Sequence, residues 1–389
     1  MKLLLVHISG LATAGFEELG GRSLLEAAGV EALDEIARRG SCGTVPLLPE
    51  GVIGGPGWEL LSLLGYAEEV SALPSLGALE ATAIGAPLYA RDVAFRVNLS
   101  SLDDSGVIAD TSGDGVPTAD ALAVMETVDE KLSTRWLRFY RGRDAAHVMV
   151  WTDGPAGVQC VPAPLARGQA LADVLPRGDG DGPLRQLIWD SLDLLSRHRV
   201  NHWRVGEGLL PVNLVWPWAP GLPPNLRHYA LRTGLKAVAL ASRLEVVGAA
   251  RAVGIRAAVC GDGLPEMRAA LKAAGEENGI AYLHLDVKTL FEHPTEPEAH
   301  AQAVTRLDTE LVGPLLNEVG KSAEAARLVV VGTWPDDGWQ TRPPALWAAF
   351  PALRGRPAMA DEFSEAALDE ARRLGEAEGL LRESLAAVS

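Results

Sequence analysis

LKAVALAS (235–242), IAYLHLDV (280–287) and RLVVVGTW (327–334) are three largely apolar runs, each bounded by polar segments. A strand with one face in water alternates apolar and polar residues, whereas a strand covered on both faces has no need to. Runs of this kind with helices between them predict central strands of a parallel sheet. LEVVGAARAVG (244–254) and PEMRAALKAAGEEN (265–278) supply those helices. At the other end of the chain, LLLVHI (3–8) has the same character and predicts a first buried strand. We read MKLLLVHISGLATAG as that strand and not as a signal peptide, because Leu3–Val6 is a short run and His7 interrupts it. SLLEAAGVEALDEIARRG (23–40) predicts one amphipathic helix stopped at Gly40.

The middle of the chain reads differently. DVAFRVNLSSL (92–102) alternates like a half-buried strand, Thr118–Leu132 predicts a helix, and HVMVWTD (147–153) predicts another strand. The GDGDG run in GQALADVLPRGDGDGPL (168–184) is a turn and not a phosphate loop, since no Lys-Ser/Thr pair follows it. Residues 90–185 are poor in continuous apolar strands and predict an inserted domain. Residues 1–89 and 186–389 are left for the core, with Leu184–Arg197 as a helix and LLPVNLVWPW (209–218) as a strand stopping at Pro217. Glu362–Ala387 predicts a charged, amphipathic helix pair.

The formal charge of −16 over 389 residues argues against nucleic acid and anionic membrane as partners and fits a soluble cytoplasmic protein. Cys42, Cys160 and Cys260 are too few and too scattered for a disulfide framework or a CxxC metal site. No stretch approaches the roughly 20 apolar residues of a membrane span.

VIGGPGWELLSLLGY (52–66) decides the chemistry. A Gly-rich turn before a buried helix is a common place for a nucleophile, because free N–H groups at a helix start hold anions. Here the turn carries Pro56, Gly57 and Trp58, none of which can attack a phosphorus atom.

An ordered set of blocks identifies a resemblance. GGRSLLEAAGVEALDEIARRGSCG (20–43), LLSLLGY (60–66), DVAFRVN (92–98), HRVN…GLLPVNLV (198–215), GLKAVALAS…GAARAVG (234–254) and RLDTELVGPLL (306–316) cover nearly the whole chain in order. With them the protein resembles the archaeal-type cofactor-independent phosphoglycerate mutases of the alkaline phosphatase superfamily. The resemblance implies an α/β fold: an alkaline-phosphatase-like core sheet sandwiched by helices, with a smaller inserted α+β cap domain.

It also implies a chemistry, two divalent metals and a Ser nucleophile. The family's first metal-binding Asp lies in an L-D-G context; this chain has Ile8-Ser9-Gly10. The nucleophile lies in G-S-D-T-A-H, which is Gly55-Pro56-Gly57-Trp58-Glu59-Leu60 here. Two more ligands lie in D-E-A-G-H, which is Thr289-Leu290-Phe291-Glu292-His293, so that only His293 remains. Trp334 and Pro335 replace an Asp-His pair, the last ligand His falls near Trp339 or Gln340, and a family Arg is Leu76.

One His does not hold a metal pair, so the expectation is no metal, no cofactor and no catalytic residue. Glu292, His293, Glu296 and His300 match no strong ligand spacing and read as a polar loop. Trp58, Trp334 and Trp339 are expected either to fill the vacated space or to line a pocket for a planar or sugar-like ligand. Arg96 and Asn98 are candidates for ligand binding in the cap, set against a purely structural role for their strand. The function expected is that of a catalytically inactive homologue that binds a protein partner or a small ligand. The alternative is an active mutase or phosphatase-type enzyme with a remodelled site.

Overall fold

The structure, a computed structural model, describes residues 2–386 except 53, 71–74, 114, 144–145, 262, 291–295, 323–324, 336–342 and 354–358. In chain order its strands are β1 (Lys2–Ser9), β2 (Ser41–Val45), β3 (Val93–Leu102), β4 (Ile108–Asp110), β5 (Leu137–Arg143), β6 (Ala146–Trp151) and β7 (Leu214–Gly221). These are followed by β8 (Ala237–Ala241), β9 (Arg256–Val259), β10 (Ile280–Asp286), β11 (Ala326–Thr333), β12 (Ala345–Phe350) and β13 (Arg372–Arg373).

The apolar runs become neighbours in one mixed sheet of order β13-β2-β12-β11-β1-β10-β8-β9. β1 lies between β10 and β11, parallel to both, and β8 and β9 continue the parallel part. Because side chains alternate along a strand, each central strand sends one set to each face. Leu4, Val6 and Ile8 of β1 join Ala281, Leu283 and Leu285 of β10 and Leu328 and Val330 of β11 in one apolar cluster. The opposite set turns polar toward the carboxyl ends of these strands, and there it builds the candidate site.

Two compact units result: Met1–Ala72 with Leu226–Ser389, and Leu73–Asn225. The inserted unit is therefore wider than the expected 90–185. The helix Leu76–Ile84 packs on β3 and β7, and the helix Asp181–Leu195 packs on β7. β7 itself pairs antiparallel with β3, from Ser100↔Leu214 to Ala94↔Gly221, and runs past Pro217. An apolar strand carries no label for the sheet it joins, and that is why the boundary was misplaced. With β4-β3-β6-β5 beside β7, the inserted unit is α+β.

The predicted helix 23–40 is two helices, Leu24–Ala27 and Glu31–Arg39. Ser23 and Glu26 close the first with a capping box. The second is capped from a distance: both carboxylate oxygens of Asp308 accept from Ala32 N–H and Leu33 N–H, each at 2.9 Å. The predicted C-terminal helix pair is a short helix Glu365–Asp369, the strand β13 and the helix Ala377–Ala386.

Candidate functional site

Position along the strands builds the site. His7 and Ser9 stand two apart on β1, as do Tyr282, His284 and Asp286 on β10, so each set shares a face. The parallel register sets His7 opposite His284, and Ser9 opposite both Asp286 and Thr333. A polar stripe thus crosses the carboxyl ends of three central strands, the end where open α/β sheets bind ligands. His7, Ser9, His284, Asp286 and Thr333 are all buried.

The helix Pro56–Leu63 lays Glu59 on this stripe. It starts at Gly55 with Pro56 as its first residue, a position that needs no N–H. Its neighbours are the helices Leu244–Ala252 and Ala377–Ala386. Gly57 is required for the approach, because a Cβ there would stand 2.9 Å from the Glu245 carbonyl oxygen.

The stripe is hydrogen-bonded to itself. His7 Nδ1 is 2.6 Å from the Tyr282 hydroxyl, and His7 Nε2 is 3.3 Å from Thr333 Oγ1 and 3.3 Å from Glu59 Oε2. Ser9 Oγ is 3.0 Å from His284 Nε2, and Thr333 Oγ1 lies 3.4 Å from Ser9 Oγ. The rings of His7 and His284 meet edge to face at 5.1 Å. Burial, then the Glu59 carboxylate, pushes the Tyr282 phenol well above its ordinary range, so it stays protonated. Burial, with smaller contributions from His7 and Arg243, holds the His284 imidazole well below its ordinary range, so it stays neutral at pH 7.

Charge returns at the rim. Arg243 donates to Asp286 Oδ2 at 3.0 Å and lies 3.4 Å from Glu245 Oε1, while Asp286 Oδ1 accepts from Lys288 N–H. Both Asp286 oxygens are therefore engaged by the protein.

These residues do not fit a pair of divalent cations. Such a site needs several carboxylate or imidazole donors converging on each ion. Here hydroxyls and imidazoles turn toward one another, and among the described residues no group of three or more His, Cys, Asp or Glu is placed to hold an ion.

The residues singled out in the sequence separate accordingly. Ser9 is inside the cluster, and Pro56 and Trp58 ride on the helix that delivers Glu59. Thr289 lies in the one-turn helix Val287–Thr289 directly after β10. Trp334 is half-buried against the apolar cluster, its indole N–H donating to the Pro344 carbonyl at 3.4 Å. His293 and Trp339 lie outside the described residues. Among the described residues, the middle of the stripe holds the hydrogen-bonded groups of His7, Ser9, Tyr282, His284 and Thr333. Arg96 and Asn98 satisfy one another in the inserted unit. Arg96 pairs with Glu80 at 2.9 Å, donates to Asn98 Oδ1 and sits over the Trp218 ring, whose N–H also reaches Asn98.

His7, Glu59, Tyr282, His284 and Thr333 were missed in the sequence. The available signal was polar residues spaced by two inside LLLVHIS and AYLHLD, which marks one face of otherwise apolar strands.

The comparisons with known proteins bear on this arrangement. A 2,3-bisphosphoglycerate-independent phosphoglycerate mutase sequence model matches residues 37–201. A probable phosphoglycerate mutase of this type from Geobacter sulfurreducens is 30% identical over 330 residues, covering 81% of this chain and 82% of that one. The chain belongs to the 2,3-bisphosphoglycerate-independent phosphoglycerate mutase family. Another family member, from Methanosarcina acetivorans, is 29% identical across 94% of both chains. A protein from Pyrococcus horikoshii superposes with a TM-score of 0.74 at 19% identity, over 100% of this chain and 97% of that one. The cofactor-independent phosphoglycerate mutase of Thermoplasma acidophilum superposes with 0.61 at 18% identity, over 100% of both. The family's alkaline-phosphatase-like α/β fold is thus the fold of this chain.

Proposed function

We propose that this family member has lost phosphoryl transfer and acts by binding, as a scaffolding or regulatory protein or as the receptor of a small ligand. One observation carries the reading: Pro56 starts the helix at whose beginning the family resemblance expects the serine nucleophile. A covalent phosphoryl route has no atom to run through without it. The engagement of Ser9 with His284, where the resemblance expects a metal-binding carboxylate, supports the same reading. The proposal places the protein in the cytoplasm, without membrane or nucleic acid as partner, on the strength of its acidic charge; no helix of the described residues is long and apolar enough to cross a membrane.

The second reading is an active mutase or phosphatase-type enzyme with a remodelled site. The relatives favour it, since the Geobacter and Methanosarcina proteins, which carry the mutase name, match this chain over most of their length. Mass spectrometry after incubation with phosphoglycerate and manganese separates the two. The first reading expects no protein-bound phosphoryl group, and a stoichiometric phosphoenzyme supports the second.

A further inference from the structure

The seat of the helix Pro56–Leu63 includes a buried polar contact with the strand β1. Glu59 reaches His7, whose ring stands 5.1 Å from that of His284. Beside them Leu60, Leu63 and Leu64 pack with Leu5, Tyr282 and Leu381 around a small apolar void of about 10 Å3.

We propose that His7 and His284 form an acid-operated catch: proton uptake by the pair unseats the helix Pro56–Leu63 and uncovers the carboxyl ends of β1 and β10. The groups facing the pair decide the sign. Ser9 comes from β1, Tyr282 and Asp286 from β10, Thr333 from β11 and Glu59 from the helix itself. Ser242, Arg243 and Glu245 follow β8. Glu59 lies 3.3 Å from His7, and Asp286 is held by Arg243 and Lys288 N–H. His284 Nδ1 has no hydrogen-bond partner among the described residues. A second imidazolium at this distance is therefore buried beside like charge without a hydrogen-bonded carboxylate, which disfavours the closed state. In the unseated state the rings meet water and take up protons near pH 6.5. The open state then binds more protons than the closed one at lower pH, and each pH unit below about 6.5 favours opening by up to about tenfold per proton. The catch follows from the packing of the helix and holds whether or not the protein is catalytic.

Hydrogen exchange of the full chain between about pH 5 and 7.5, corrected for intrinsic exchange, tests it. The opening constant of amides 57–63 is expected to rise by up to about tenfold per pH unit below about 6.5, while the helix Leu264–Asn278 of the same unit stays flat. His284→Gln is expected to flatten the slope. A pH-independent opening of amides 57–63, or one slope shared by both helices, overturns the catch. Should the variant fail to fold, the comparison of the two helices in the natural chain decides alone.

Discussion

Ser9 Oγ of β1 lies 3.0 Å from His284 Nε2 of β10, and both side chains are buried. The hydroxyl and the imidazole Nε2 are hydrogen-bonded at the place where the family resemblance expects a carboxylate bound to metal. A polar core of this kind is stable only while its members remain paired.

Ser9→Ala removes one partner and leaves His284 Nε2 without its Ser9 hydrogen bond. The expected loss is about 1–3 kcal/mol of unfolding free energy, measured by urea denaturation. A loss below about 0.5 kcal/mol, the level of an ordinary surface substitution, contradicts the pairing.

The Glu59–His7 contact makes a second prediction. Removing one member of a buried pair leaves the other poorly compensated, so His7→Leu and Glu59→Leu are each expected to cost about 3–5 kcal/mol. The double variant replaces both with apolar groups and is expected to recover much of that loss. A double-mutant cycle reads the coupling directly, and strictly additive losses contradict it.

Asp308 gives a pH dependence. Burial raises its carboxyl to about 6, and the N–H groups of Ala32 and Leu33 offset this in part. The folded chain therefore holds this proton more tightly than the unfolded one. The stability it contributes is fully present below about pH 4 and is lost as pH rises through about 6. Relative to Asp308→Asn, the natural chain is expected to lose up to about 3 kcal/mol between about pH 4 and 7, followed by urea denaturation. A difference between the two that does not vary with pH contradicts this.

Trp58 and Trp334 are expected to respond unequally. Trp58 is 8% exposed on the helix that covers the polar stripe, whereas Trp334 is only half-buried. Trp58→Ala is expected to cost about 3–5 kcal/mol and Trp334→Ala about 1–2 kcal/mol. Equal costs contradict the burial difference.

The central sheet was legible because burial on both faces leaves continuous apolar runs, as in ARLVVVGT of β11. The site was legible only as a set of departures, at Ser9 and Pro56, from the family pattern. His7 and His284 were harder to see because each stands in an apolar strand, and only the register of β1 on β10 brings them together. The edge of the inserted unit was misread because β7 looks like a core strand until its partner, β3, is known. The break between Ala27 and Glu31 was hidden because its cap, Asp308, comes from far along the chain.

The conversion of 3-phosphoglycerate to 2-phosphoglycerate in the presence of manganese tests the central claim most directly. The account predicts no turnover above the uncatalysed background, for the natural chain and equally for Pro56→Ser, because a restored hydroxyl still lacks ions to orient and activate it. Turnover by the natural chain in the ordinary enzyme range, about 1 per second or more, contradicts it.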